Sequence, residues 1–156
     1  MCEVVPLGCT DVPLIMQIEE QCFTDDHWSE EQIKQQLKKT NAINLGIKVQ
    51  GVLVGYVLVG WVLDEAELYQ IALLPEYQGC GRAQKLLCKL CRELQLESIH
   101  RLLLEVREQN VRAIRLYESF GFIQDGRRKG YYASDSGVED ALLYSYVVLN
   151  NHAMSK

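Results

Sequence analysis

The chain has 156 residues, 48% of them hydrophobic, which suffices for one buried core and is too short for two ordinary domains. Its formal net charge of -5 argues against sequence-independent binding to nucleic acid, despite the short basic run Arg127-Arg128-Lys129. No run of about 18 uncharged apolar residues exists for a membrane span, and the first residues lack a basic-then-apolar signal pattern, so a cytoplasmic protein without a membrane partner is expected.

A first strand is expected over Cys2 to Pro6, then a helix over Asp11 to Phe23 and a second over Ser29 to Lys38. Strands over Ala42 to Val49 and Val52 to Leu63 meet at Gln50-Gly51, a pair suited to a tight hairpin because glycine accepts positive φ. The apolar strand Glu67 to Leu74 runs into Tyr77-Gln78-Gly79-Cys80-Gly81-Arg82-Ala83, a small-residue turn opening an amphipathic helix that reaches about Glu97. Such a turn presents free backbone N–H groups at the positive end of the helix dipole, where a diphosphate binds. It lacks the Gly-Lys-Ser/Thr ending of a P-loop and the full three-glycine dinucleotide fingerprint, and its plainer reading is an ordinary strand-to-helix turn.

Downstream, Arg101 to Arg107 reads as a buried strand, and Asn110 is a good N-cap for a helix to Phe120 whose apolar positions Ala113, Leu116, Tyr117 and Phe120 share a face. Strands over Phe122 to Lys129 and Glu139 to Val148 complete the pattern, with Tyr131 and Tyr132 on the loop before the last strand. Helices between strands, with hairpins at both ends, imply a mixed sheet in which the unit from Glu67 to Arg107 is a parallel crossover. Residues 1–149 are expected to form one domain and 150–156 a tail.

The six cysteines, Cys2, Cys9, Cys22, Cys80, Cys88 and Cys91, read as reduced thiols. Cys88 and Cys91 have C-x-x-C spacing but lie inside the long helix, and His27, His100 and His152 are too scattered to complete a zinc site, so no metal is expected. Cys80, at a helix amino end, is the thiol whose setting favours reactivity, although no histidine stands near it to serve an acyl-cysteine mechanism.

Gln78, Gly81 and Ala83 make up Gln-x-x-Gly-x-Ala, which resembles the pyrophosphate signature of the GNAT superfamily of N-acetyltransferases. The run Leu104-Glu105-Val106-Arg107 through Asn110, Ala113, Leu116-Tyr117-Glu118 and Gly121-Phe122 is similar to the second acetyl-CoA motif of that family, in the same order and at the same distance. Ile18-Glu19, Phe23, Trp28-Ser29-Glu30, Pro75, Lys129-Gly130-Tyr131-Tyr132 and Glu139-Asp140-Ala141 extend the resemblance to the bacterial ribosomal-protein-alanine N-acetyltransferases, over Asp11 to Val147. The chain departs from their pattern at His27 and Ala133, where proline is usual.

The resemblance implies an α/β (α+β) fold: a mixed, mostly antiparallel sheet of about six to seven strands with a central splayed parallel pair, flanked by about four helices. It implies acetyl-CoA as cosubstrate, with Ile71, Ala72 and Leu73 along the pantetheine arm and Gln78, Gly79, Cys80, Gly81, Arg82, Ala83 and Gln84 around the diphosphate. Asn110 is then a cap that also bonds the cofactor, or a cap alone. Tyr117 matches the family's general acid, facing the thioester sulfur; its alternative is a core aromatic. Glu105 is the candidate base, acting through water; its alternative is a helix-end partner or a pair with Arg107. Tyr131 and Tyr132 correspond to one wall of the peptide groove, or pack beneath their loop, and Trp28 lines the opposite wall.

The implied activity is direct acetyl transfer to the N-terminal alanine of a small-subunit ribosomal protein, whose basic terminal segment is the partner, with no direct nucleic-acid partner and a monomer compatible with the sequence. An α-amino group with a pKa of about 7.7–8.0 is far more often neutral near pH 7 than a lysine at about 10.4, so such a substrate asks less of its base. The alternatives are another protein terminus, a lysine or a small amine as acceptor, and, in a different class, a non-catalytic acyl-CoA-binding module.

Overall fold

The computed structural model describes residues 1–23, 26–134 and 137–148. The tail expected over 150–156, with His152, lies outside the described residues. Among the described residues seven strands form one sheet: β1 (Cys2–Pro6), β2 (Ala42–Val49), β3 (Val52–Val62), β4 (Glu65–Leu73), β5 (Arg101–Arg107), β6 (Ile123–Ser134) and β7 (Gly137–Val147). Their order is β1-β2-β3-β4-β5-β7-β6, antiparallel throughout except for the β4–β5 pair.

Among the described residues four α-helices cover the two faces: α1 (Val12–Cys22), α2 (Glu30–Lys38), α3 (Arg82–Leu96) and α4 (Val111–Phe120). The apolar stripe of α3, Leu86, Leu87, Leu90 and Leu94, is fully buried against Val57, Val59, Leu102 and Leu104 on one face. Ile15, Ile18 and Ile33 of α1 and α2 pack on Leu53, Tyr56 and Leu58 on the other. Residues 53–60 of β3 are consequently all buried, as a central strand covered on both sides must be. Ser29 caps α2 reciprocally with Gln32: Gln32 N–H donates to Ser29 Oγ at 3.1 Å, and Ser29 N–H to Gln32 Oε1 at 2.8 Å.

Two features of β4 govern the rest. Leu58 faces Gln70 while Val59 faces Leu68, so Tyr69 is an extra residue in the ladder, a bulge that bends the strand. On its other edge β4 pairs with β5 only at Glu65, Ala66 and Glu67, opposite Arg101, Leu102 and Leu103. Beyond Glu67 the strands splay apart, although β4 continues to Leu73 and β5 to Arg107.

Most boundaries shift by a residue or two from the sequence reading, and two of the differences bear on the site. β4 starts at Glu65 rather than Glu67, because Glu65 and Ala66 find partners in both β3 and β5. Tyr131 and Tyr132 are not on a loop: after an irregularity between Arg128 and Tyr132, β6 resumes pairing at Tyr132 opposite Glu139 and runs to Ser134. Gly130 N–H, inside the irregularity, donates to Asp140 Oδ1 at 2.8 Å, which ties the interrupted stretch to β7.

Gly55 of β3 sits opposite Leu73, and a Cβ there would lie 2.6 Å from the Ala72 carbonyl oxygen, a backbone atom with little freedom to retreat. Gly55→Ala is expected to cost about 1–3 kcal/mol in urea unfolding. A variant as stable as the parent would show that β4 shifts freely at that point.

Candidate functional site

The splay opens a cleft of about 630 Å³ on the α3 and α4 side, within the usual range for small-molecule sites. One end is walled by Ile71, Ala72 and Leu73 of β4 together with Cys22 and Phe23. Leu74 N–H donates to Val54 O at 2.9 Å, so strand alternation turns the Leu73 and Ile71 peptide groups toward the gap. The Leu73 carbonyl is accordingly taken up by side chains: Gln78 Nε2 donates to it at 2.8 Å and the Cys22 thiol at 3.5 Å.

The floor is the turn into α3. Gly79 (φ 84°) and Gly81 (φ 79°) are left-handed, with nothing within 4 Å of a Cβ built on either, so conformation rather than space calls for glycine. Among the described residues, none of the N–H groups from Gly79 to Gln84 donates to a protein acceptor; Lys85 N–H, to Gly81 O, is the first to do so. This row of free donors at a helix start lies where the sequence reading expected a diphosphate turn, and its geometry suits an anion. Arg82 donates to Tyr77 O at 3.1 Å and lies 5.4 Å over the Tyr77 ring. Cys80 is exposed and not part of the cleft wall.

The opposite wall is α4. Asn110 caps it, its Oδ1 accepting from Ala113 N–H at 3.3 Å, and also borders the cleft. Arg112, Arg115, Leu116 and Ser119, spaced i, i+3, i+4 and i+7, form the helix face toward the cleft. None of these four was singled out as a cleft residue from the sequence, although the position of Asn110 and helical periodicity together carry the signal.

Tyr117 lies beneath this wall, 4% exposed, with its ring 5.5 Å from that of Phe122. Burial pushes its phenol above the ordinary range, and the nearby Tyr132 phenol adds to the effect. Among the described residues the Tyr117 hydroxyl has no hydrogen-bond partner.

The reverse face of the gap carries charge. β5 alternates, with Leu102, Leu104 and Val106 buried toward α3 and α4 and Leu103, Glu105 and Arg107 on the other side. Glu105 pairs with Arg128 Nη2 at 3.3 Å, not with Arg107. Arg107 is engaged elsewhere: its Nη1 lies 2.9 Å from Glu139 Oε1 and donates to Ala133 O at 3.0 Å, its Nε donates to Asp26 at 2.9 Å, and its guanidinium covers the Tyr132 ring at 4.3 Å. Glu67 faces the same space, its carboxyl pushed up first by partial burial and then by the Glu105 charge, while Arg128 draws it down. Tyr131 is exposed, edge-on to Tyr132 at 5.0 Å.

Trp28 closes this face from the α1–α2 side, its ring 5.9 Å from Tyr69. Its backbone is held by Glu19, which is fully buried. Glu19 Oε2 accepts from Trp28 N–H at 2.7 Å, and Oε1 accepts from the Tyr56 hydroxyl at 2.6 Å and Gln70 Nε2 at 3.0 Å. The bulge at Tyr69 makes this convergence possible, since it puts Tyr69 and Gln70 on one face in succession. Burial raises the Glu19 carboxyl above its ordinary value, partly offset by the Tyr56 and Trp28 hydrogen bonds. Glu19 and Glu67 were not assigned to the site from sequence.

Among the described residues no group of three His, Cys, Asp or Glu is placed to hold a metal, all six cysteines are free, and no helix is long and apolar enough to cross a membrane.

Residues 12–122 match the sequence profile of the acetyltransferase (GNAT) family. The chain is 36% identical over 137 residues to the [ribosomal protein bS18]-alanine N-acetyltransferase of Escherichia coli strain K12, covering 88% of this chain and 91% of that protein. It superposes on the crystal structure of the Escherichia coli ribosomal-protein-S18-alanine N-acetyltransferase with a TM-score of 0.89, at 33% identity and 96% coverage of both chains. An N-acetyltransferase of Thermoplasma acidophilum solved with coenzyme A shares the fold, with a TM-score of 0.80 at 16% identity over 94% of this chain and 99% of that one.

The raised Glu19 carboxyl sets a pH dependence. The folded state retains a proton that the unfolded chain releases near its ordinary value of 4.5, so Glu19's contribution to stability is full below that pH and is lost as pH rises through the folded value. In urea melts between about pH 4 and 8, the stability of the parent relative to Glu19→Gln is expected to fall with rising pH, by at most about 1.4 kcal/mol per unit. A difference that grows with pH over this window would contradict the assignment.

Proposed function

The chain belongs to the acetyltransferase (GNAT) family, and from that premise we propose that it transfers the acetyl group of acetyl-CoA directly to the α-amino group of an N-terminal alanine on a small-subunit ribosomal protein. The observation that carries the reading is the gap between β4 and β5, which joins a cleft floored by unpaired amides to a face bearing Glu105, Glu67 and Tyr132. The E. coli relative named for this acceptor is alike over nearly the whole length of both chains, which supports the choice of substrate.

In this reading the free amides from Gly79 to Gln84 hold the diphosphate, and the gap-facing peptide groups of Ile71 and Leu73 hold the pantetheine arm. The Leu73 N–H polarises the thioester carbonyl as negative charge grows on its oxygen. The α-amine arrives from the α1–α2 and β6–β7 side, between Trp28 and the Tyr131-Tyr132 pair. Glu105 takes the amine's proton through water, while Arg128 steadies its carboxylate.

Amine nitrogen forms the new bond to the acetyl carbon, the carbon–sulfur bond breaks, and Tyr117 serves the departing thiolate. Because burial raises its pKa, the phenol keeps its proton in the resting enzyme, and it acts by hydrogen bonding to the sulfur as charge develops there. The net charge of -5 favours encounter with a basic protein segment, and ribosomal substrates put the enzyme in the cytoplasm.

Tyr117→Phe is expected to lower kcat by about 100-fold or more, with little change in KM for acetyl-CoA, and Glu105→Gln to do likewise. Thiol release by Tyr117→Phe at the parent rate would remove Tyr117 from the chemistry. Mass spectrometry after incubation with peptides beginning in alanine, lysine-bearing peptides blocked at their termini, and small amines tests the acceptor. Acetylation confined to a small amine would overturn the ribosomal reading.

A further inference from the structure

The cleft has an electrostatic character opposite to that of the chain. Asp and Glu outnumber Lys and Arg by five in the whole sequence, 21 against 16, yet among the described residues no carboxylate lines the cleft, while Arg82, Arg112 and Arg115 do. Two of these arginines have no assigned work. Arg101, Arg107, Arg127 and Arg128 all pair with carboxylates, and Arg82 is held by the Tyr77 carbonyl and ring. Among the described residues Arg112 and Arg115 form no ion pair and no side-chain hydrogen bond.

Arg92 is likewise without an ion pair or side-chain hydrogen bond among the described residues but does not line the cleft, so it is placement that sets Arg112 and Arg115 apart. Spaced i, i+3 on the first turns of α4, they are neighbours on one helix face. Ala113 and Leu116 of the same wall are half-buried, so the two exposed guanidinium groups stand at the cleft's rim, across from the amide cradle of α3. A diphosphate is already provided for by that cradle. Coenzyme A carries one further phosphate, a monoester on the ribose 3′ oxygen, which bears close to two negative charges at neutral pH. Two adjacent, unpaired guanidinium groups suit such a dianion, because each presents a planar fork of donors to its oxygens.

We propose that Arg112 and Arg115 together bind the 3′-phosphate of coenzyme A and make the enzyme discriminate against acyl donors that lack it. The inference rests on the acetyl-CoA reading of the cleft and adds to it a donor specificity seated on α4. Desolvation of the two cations is small at the rim, so the contact strengthens binding without a large burial penalty, and it weakens as salt screens it.

The test compares acetyl-CoA with acetyl-3′-dephospho-CoA, using the parent, Arg112→Gln, Arg115→Gln and the double variant. The parent is expected to show a KM about tenfold or more higher for the dephospho donor, and the double variant to lose most of that difference because its KM rises chiefly for acetyl-CoA. Calorimetry with free coenzyme A and 3′-dephospho-coenzyme A gives the same comparison without turnover, with a steeper salt dependence for coenzyme A in the parent than in the double variant. Equal affinity of the parent for the two coenzymes, or an equal loss for both on double substitution, would overturn this inference while leaving the acetyl-CoA assignment standing. Failure of the folded parent to bind either coenzyme would overturn both.

Discussion

Three residues of β4 pair with three of β5, and then the ladder ends while both strands go on. A parallel pair inside a seven-stranded sheet has every reason to stay closed, since each unpaired peptide group near the core costs free energy that a neighbour would recover. Here the bulge at Tyr69 bends β4, and β7 takes the far edge of β5 over its full length, from Arg101 opposite Val147 to Arg107 opposite Ala141. β5 is thus held from one side only along its second half, and the gap it leaves is structural rather than a packing fault.

That gap divides the labour of the fold. On the α3 and α4 side it exposes backbone donors, at the β4 edge and in the turn before α3, and these suit a phosphorylated, amide-bearing cosubstrate. On the other side it exposes side chains: Glu105, Glu67, Arg128 and Tyr132, contributed by three different strands. Tyr117 sits between the two, on a helix of the first side but close enough to Tyr132 of the second to feel its phenol. An acyl group delivered through the gap meets an acceptor coming from the opposite face, which is the arrangement direct transfer requires.

The walls of this second face are tied to the sheet by titratable groups rather than by apolar packing alone. Glu19 gathers the end of the α1–α2 connection, β3 and β4 onto one carboxyl group through Trp28, Tyr56 and Gln70. Arg107 does the equivalent on the other side, joining Asp26 to Glu139 and the Ala133 carbonyl. Buried or half-buried charges contribute little net stability when fully paired, but losing one partner leaves the other stranded, so such ties fix geometry more than they add free energy.

By itself the sequence determined what depends on neighbours a few residues away. The glycines at 79 and 81 dictate a left-handed entry into α3, the apolar stripe Leu86, Leu87, Leu90 and Leu94 dictates a helix buried on one face, and Asn110 dictates where α4 begins, so the turn into α3 and the two helices beside the cleft were legible in the sequence. The tertiary structure alone decided which side chains meet across the gap. Glu105 has Arg107 two positions away on the same face, yet pairs with Arg128, because Arg107 is already committed to Asp26 and Glu139 from distant parts of the chain. Tyr131 and Tyr132 read as loop because a strand is defined by its partner, and the pairing of Tyr132 with Glu139 lies beyond an irregularity that local pattern does not reveal. The Glu19 carboxyl is raised by burial against the lowering effect of its hydrogen-bond partners, and that of Glu67 by burial and the Glu105 charge, properties of the packed interior that no local stretch of sequence specifies.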